Sequence, residues 1–127
     1  MENYIHTRSI SLVLLVISCT IFACKKKDLQ LLPTLTTAAI SDITDSTAVS
    51  GGNFTSIGNV SISAYGMEWS TSAGFTTGGG ISVDGAGTSS FASNLTGLLP
   101  STTYYARAYA IAGKDTVYGN TLPFMTY

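Results

Sequence analysis

The sequence predicts an all-β protein, a seven-stranded antiparallel β-sandwich behind a short apolar leader. Two observations carry that expectation. From Leu35 onward no window of about 11 residues repeats its apolar positions at helical spacing, whereas Thr, Ser, Tyr, Val, Ile and Phe alternate in short stretches. Turn-forming clusters separate the stretches: Asp42 to Ser46, Ser56 to Asn59, Ser72 to Gly79, Asp84 to Gly87, Gly97 to Ser101 and Gly113 to Asp115. The strands expected between them are Thr36 to Ile40, Thr47 to Phe54, Ser61 to Ser70, Gly80 to Val83, Ser89 to Leu95, Thr103 to Ala112 and Val117 to Thr126. Seven short strands in about 95 residues suit one two-layer sandwich and leave no material for a second domain.

The N-terminal elements come first in the chain. Met1 to Arg8 is polar, Ile10 to Ala23 is apolar, and Lys25-Lys26-Lys27-Asp28 ends the run. At 14 positions that run is shorter than the roughly 18 apolar residues a spanning helix needs, so 1–23 reads as a signal peptide. Ile21-Phe22-Ala23-Cys24 resembles a bacterial lipobox, which makes Cys24 the lipidated first residue of the mature chain. Val16-Ile17-Ser18-Cys19 fits the same pattern and is the alternative. Residues 24–33 then form a tether and 34–127 the sandwich. Acylation would hold the protein on a membrane. The basic and acidic cluster after Cys24 is similar to export signals that send lipoproteins to the outside of the outer membrane; the expected location is the outer membrane, with its inner and outer faces both open.

Alternation assigns the faces. In Tyr104 to Ala110, placing Arg107 in water turns Tyr105 and Tyr109 outward and Tyr104, Ala106, Ala108 and Ala110 inward. The inward alanines need bulk opposite them, which Tyr65, Met67 and Trp69 supply, with Val49, Phe54, Phe91, Leu95 and Phe124 completing the core and Glu68 facing out.

Leu98-Leu99-Pro100-Ser101-Thr102-Thr103-Tyr104 resembles the tyrosine corner of fibronectin type III domains, with Leu98, Pro100, Thr102 and Tyr104 in its motif positions. Ala48 to Asn53, Gly66 to Ser70, Arg107 to Ala110, Tyr118 to Asn120 and Phe124 to Thr126 extend the likeness to the fibronectin-type repeat of certain bacterial surface lipoproteins. The resemblance implies an immunoglobulin-like (fibronectin type III-like) sandwich with a surface address, and it brings no catalytic residues. In that family such a repeat stands in tandem arrays, whereas this chain has one copy.

Composition narrows the chemistry. Only 10% of residues are charged and the net charge is −1. Beyond Asp28 the cations are Arg107 and Lys114, against Asp42, Asp45, Glu68, Asp84 and Asp115, a net of −3. Such a body cannot neutralise a run of phosphates, so nucleic acid is not an expected partner. The only His is His6 and the only cysteines are Cys19 and Cys24, so the sandwich has no imidazole base, thiol or disulfide, and neither metal nor cofactor is expected. No enzyme is expected. Tyr105, Arg107 and Tyr109 form the candidate ligand-binding stripe, because Tyr and Arg anchor protein and glycan interfaces. Asp45-Ser46-Thr47 and Asp115-Thr116-Val117 resemble envelope O-glycosylation acceptors, which makes Ser46 and Thr116 candidate modified residues. Asn53, Asn59 and Asn94 begin N-linked patterns that a bacterial lipoprotein would rarely use. The expected function is a lipid-anchored binding or adhesion module for protein or glycan; a structural spacer of the envelope is the alternative.

Overall fold

The computed structural model describes Leu29–Tyr127. The leader 1–23 with Cys19, and the stretch from Cys24 to Asp28, lie outside the described residues. The described chain is all-β: β1 (Thr34–Thr37), β2 (Ala48–Ser56), β3 (Ile62–Ser70), β4 (Gly79–Ile81), β5 (Phe91–Leu95), β6 (Thr103–Ala112), β7 (Asp115–Tyr118) and β8 (Leu122–Met125). One sheet runs β1-β2-β5; the other runs β4-β3-β6-β7, with β8 also paired to β6. Every pairing is antiparallel.

The long central pair β3 and β6 sets the core. In register, Trp69 faces Ala106, Met67 faces Ala108 and Tyr65 faces Ala110, so each large side chain is matched by a small one on the next strand. All six are buried. The same rule operates with glycine. Phe91 pairs with Gly52 and Trp69 with Gly80, and Tyr65 bridges Gly85. A Cβ added to Gly52 would lie 2.7 Å from the Phe91 ring, and at Gly80 it would lie 2.6 Å from Trp69 Cζ2. Tyr65 stacks on Phe91 at 4.4 Å and meets Phe54 edge-on at 6.0 Å.

The tyrosine corner closes as its motif implies. Tyr104 is buried and its hydroxyl accepts a hydrogen bond from Leu99 N at 2.9 Å. Leu98 is buried, Thr102 Oγ1 donates to Pro100 O at 2.8 Å, and Tyr104 stacks on Phe124.

Three expectations change. The last predicted strand, Val117 to Thr126, is two strands. Between the pairs Tyr109–Tyr118 and Ala106–Leu122, β6 contributes two residues and its partner three, Gly119, Asn120 and Thr121. The extra residue makes a bulge. There Asn120 Oδ1 accepts from Thr37 N and Thr37 Oγ1 accepts from Ala108 N, both at 2.9 Å, which ties β1 to the edge of the opposite sheet. Second, β1 starts and stops earlier than Thr36 to Ile40, because its ladder breaks after Thr37 and resumes only as the Ser41–Val49 bridge. Third, Val49 is not a core residue. The pairing of Ala48 with the fully buried Leu95 turns Ala48, Ser50 and Gly52 inward and leaves Val49 half-buried on the other face.

Leu29–Pro33 is not free chain. Asn59 N donates to Leu31 O, Asn59 Oδ1 accepts from Leu31 N and Asn59 Nδ2 donates to Leu29 O, all within 2.9 Å. Pro33 is fully buried.

Trp69 is the sole tryptophan, so its emission reports on the glycine rule. Gly80→Ala must push the indole from its seat, and we expect a red-shifted emission together with a loss of about 1–3 kcal/mol in urea unfolding. An unshifted spectrum with wild-type stability would show that the close approach at Gly80 carries no constraint.

Candidate binding face

The outer surface of the β4-β3-β6-β7 sheet carries Tyr105, Arg107 and Tyr109, as alternation requires. The structure brings Glu68 directly opposite Arg107 in the ladder. Arg107 Nε donates to Glu68 Oε2 at 2.9 Å, and both side chains are 24% exposed. Two aromatic rings enclose the cation: Arg107 Cζ lies 4.0 Å from the Phe75 ring centre and 3.7 Å from that of Tyr118. Ring faces attract a guanidinium by about 0.5–1 kcal/mol each at partly wet sites. The guanidinium carbon is thus held within 4.0 Å of both ring centres. Its terminal nitrogens find no acceptor among the described residues.

The stripe differs from expectation at Tyr109. Expected in solvent, it is only 3% exposed. Its in-register neighbour on β3 is Gly66, and the carbonyl of Ser82 occupies the space a Cβ there would need. The Tyr109 hydroxyl donates to that carbonyl at 2.5 Å. Burial, and then the carboxylates of Asp84 and Glu68, push the Tyr109 phenol above its ordinary 10.0. Tyr105 is half-buried. All three residues of the proposed stripe are therefore partly or wholly covered, and Arg107 is its polar centre.

The exposed part of the face lies to either side. Ile81 is 63% exposed, Val83 72% and Tyr118 46%, with Phe75 and Ile111 half-buried between them. A shallow depression of about 330 Å³ runs from Glu68 past Phe75 to Ile81, and a smaller one of about 140 Å³ lies among Ile81, Ile111, Thr116 and Tyr118. Phe75 and Tyr118 escaped sequence reasoning. Phe75 sits in a glycine-rich loop with a positive φ of 55°, and only the register of β7 against β6 places Tyr118 beside Arg107.

Ser46 is exposed in the β1–β2 loop, where its N–H bonds to Thr44 Oγ1; Thr116 is exposed on β7 at the rim of the smaller depression. Asn53 and Asn94 are exposed, and the Asn59 side chain is engaged with Leu29 and Leu31. Among the described residues no three His, Cys, Asp or Glu side chains gather in metal-binding geometry.

A three-stranded sheet packed on a sheet of β4, β3, β6, β7 and β8, closed by a tyrosine corner, defines the class: an immunoglobulin-like β-sandwich. Within that class the fold is that of a fibronectin type III domain. A fibronectin type III domain of human collagen XX superposes with a TM-score of 0.55 at 18% identity over 81% of this chain and all of its own. The fourth such domain of another human protein gives 0.58 at 15% identity, over 81% of this chain and 86% of its own. The sensor domain of the anti-sigma factor RsgI4 of Pseudobacteroides cellulosolvens gives 0.55 at 15% identity over 74% and 93%. No protein-family model and no curated protein matches the sequence.

The raised Tyr109 phenol has a pH consequence. Below the ordinary value of 10.0 the group is neutral in both states and its hydrogen bond contributes fully. As pH climbs toward the folded-state value, the unfolded chain releases its proton first and stability falls. Urea midpoints measured from roughly pH 9 to 12 should therefore drop more steeply in the wild type than in Tyr109→Phe, which is about 1 kcal/mol weaker at neutral pH. Parallel profiles would place the phenol in water.

Proposed function

We propose that this chain is a non-catalytic, lipid-anchored envelope protein whose sandwich binds a protein or glycan on the outer β4-β3-β6-β7 face. The observation that supports the reading is the Arg107 assembly. A guanidinium fixed between Phe75 and Tyr118, with its terminal donors free of acceptors among the described residues, is preorganised to meet a carboxylate, a carbonyl or sugar hydroxyls. Around it Ile81, Val83 and Tyr118 offer apolar area that core packing does not require. The lipobox-like Ile21-Phe22-Ala23-Cys24 supports the anchor, and Lys25-Lys26-Lys27-Asp28 supports an outer-membrane, surface-facing address. The partner is a surface protein or a glycan, and its contact centres on Arg107 and Tyr118, with Tyr105 at the margin and the buried Tyr109 as support.

A spacer reading draws on a different fact. Arg107 is already paired to Glu68 and Tyr109 to Ser82, so the stripe is partly satisfied within the domain.

Exposed positions separate the two. In the full chain, Ile81→Ser with Val83→Ser should leave stability within about 0.5 kcal/mol of wild type. On a glycan array and on a panel of immobilised extracellular proteins, a binding module loses its positive signals in this variant. Equal positive signals would move the contact off this face, and none in either protein would leave the spacer. Intact mass of the membrane fraction reports acylation at Cys24, and protease added to whole cells reports the face of the membrane.

A further inference from the structure

The end of the sandwich from which the chain runs back toward Cys24 has an unusual surface. Leu29 is 76% exposed, Leu31 54% and Leu32 40%, and Ile57 in the β2–β3 loop is 62% exposed. They belong to one pole, because Asn59 clasps Leu29 and Leu31, and the space at Gly58 is bounded by Leu31, Leu32 and Pro33. The β6–β7 turn reaches the same end through the bond from Gly113 N to Ser61 O, bringing exposed Lys114 and Asp115 with it.

Clasping also shortens the leash. If Leu29–Pro33 were free, the nine residues from Lys25 would span roughly 30 Å; with that segment held, only Lys25-Lys26-Lys27-Asp28 separates Cys24 from the folded pole, about 13 Å. A lipid on Cys24 would therefore keep this pole, and no other, within reach of the bilayer, and its aliphatic side chains decide whether it docks. In sequence, three consecutive lysines separate Cys24 from this aliphatic segment, and cations so close to a lipidated residue favour an anionic bilayer. At the far end of the molecule, the β1–β2 loop carries Asp42 and Asp45 with no cation in the loop, the wrong charge for that surface.

We propose that this pole is a lipid-docking surface: Leu29, Leu31, Leu32 and Ile57 enter the apolar boundary of an anionic bilayer. The sandwich then stands upright on the membrane and does not swing on a flexible stalk. The inference rests on the anchor reading for its starting point, and the test keeps the two apart.

The full chain is purified from the membranes of a Gram-negative host. It is reconstituted in phosphatidylethanolamine and phosphatidylglycerol vesicles containing lipids brominated high on the acyl chain. Two variants each add one tryptophan: Ile57→Trp at the docking pole and Asp45→Trp in the β1–β2 loop. The nine residues of β2 separate these sites by about 30 Å, whereas interfacial insertion reaches only about 5–10 Å. After subtraction of the wild-type Trp69 signal, quenching at position 57 should exceed that at position 45 by about threefold or more. Adding Leu31→Ser and Leu32→Ser should bring the ratio near one while Trp69 emission stays unchanged. Equal quenching at both sites in the parent chain overturns docking. Intact mass independently judges the anchor: a chain without acyl mass sinks that reading, whereas the quenching ratio on vesicle-bound protein judges docking.

Discussion

Size matching across the β3–β6 ladder is the constraint on which the rest of the structure depends. With 10% charged residues and no cysteine beyond Cys24, the sandwich has neither ion-pair networks nor disulfides to hold it, so the fit of large onto small must. Trp69, Met67 and Tyr65 lie against Ala106, Ala108 and Ala110, and aromatic rings extend over Gly52 on β2, Gly80 on β4 and Gly85 in the β4–β5 connection. A glycine within a strand costs about 0.5–1 kcal/mol in backbone freedom. A large side chain fully buried over it contributes about 1.5–3 kcal/mol. The exchange is favourable, and it explains a glycine-rich chain that is nonetheless well packed.

The same principle operates on the outside of the sheet with a different result. Gly66 leaves room for Ser82 O, which captures the Tyr109 hydroxyl and draws the β4–β5 connection over the face. Tyr109 thereby becomes part of a second, small packing layer, and Arg107 is fixed beside it by Glu68, Phe75 and Tyr118. Rigidity of this kind serves recognition, because a partner does not have to order the guanidinium on arrival. On the proposed binding reading it also divides the labour among the residues: Tyr109 and Glu68 hold the geometry, and Arg107, Tyr118, Ile81 and Val83 are left for contact.

Period-two alternation made most of the fold legible. It placed β3 and β6 almost to the residue, assigned Tyr65, Met67 and Trp69 to the core, and the Leu98 to Tyr104 motif located the corner. What it could not supply is register. The bulge at Gly119–Thr121 exists only as a mismatch between two strands, and Val117 to Thr126 alone reads as continuous. Val49 was placed on the wrong face because alternation along one strand does not say which set faces in; the pairing of Ala48 with Leu95 does. Tyr109 shows the same limit at the site, since its direction follows from its own strand but its cover comes from Gly66 and Ser82.

The two ends and the one broad face of the molecule form a single geometric problem. The strands run from the Asn59 pole to the Asp42–Asp45 loop, and Arg107 lies near the middle of the ten-residue β6. At about 3.3 Å per residue it stands roughly 15–20 Å from the Asn59 pole. If that pole sits on the bilayer, the β4-β3-β6-β7 face is vertical, and a partner must approach from the side, in the plane of the membrane. A free stalk would let the face turn toward distant ligands, whereas a docked pole favours partners attached to the same surface. The length of leash left by Asn59 therefore bears as much on what this face can meet as the chemistry of Arg107 does.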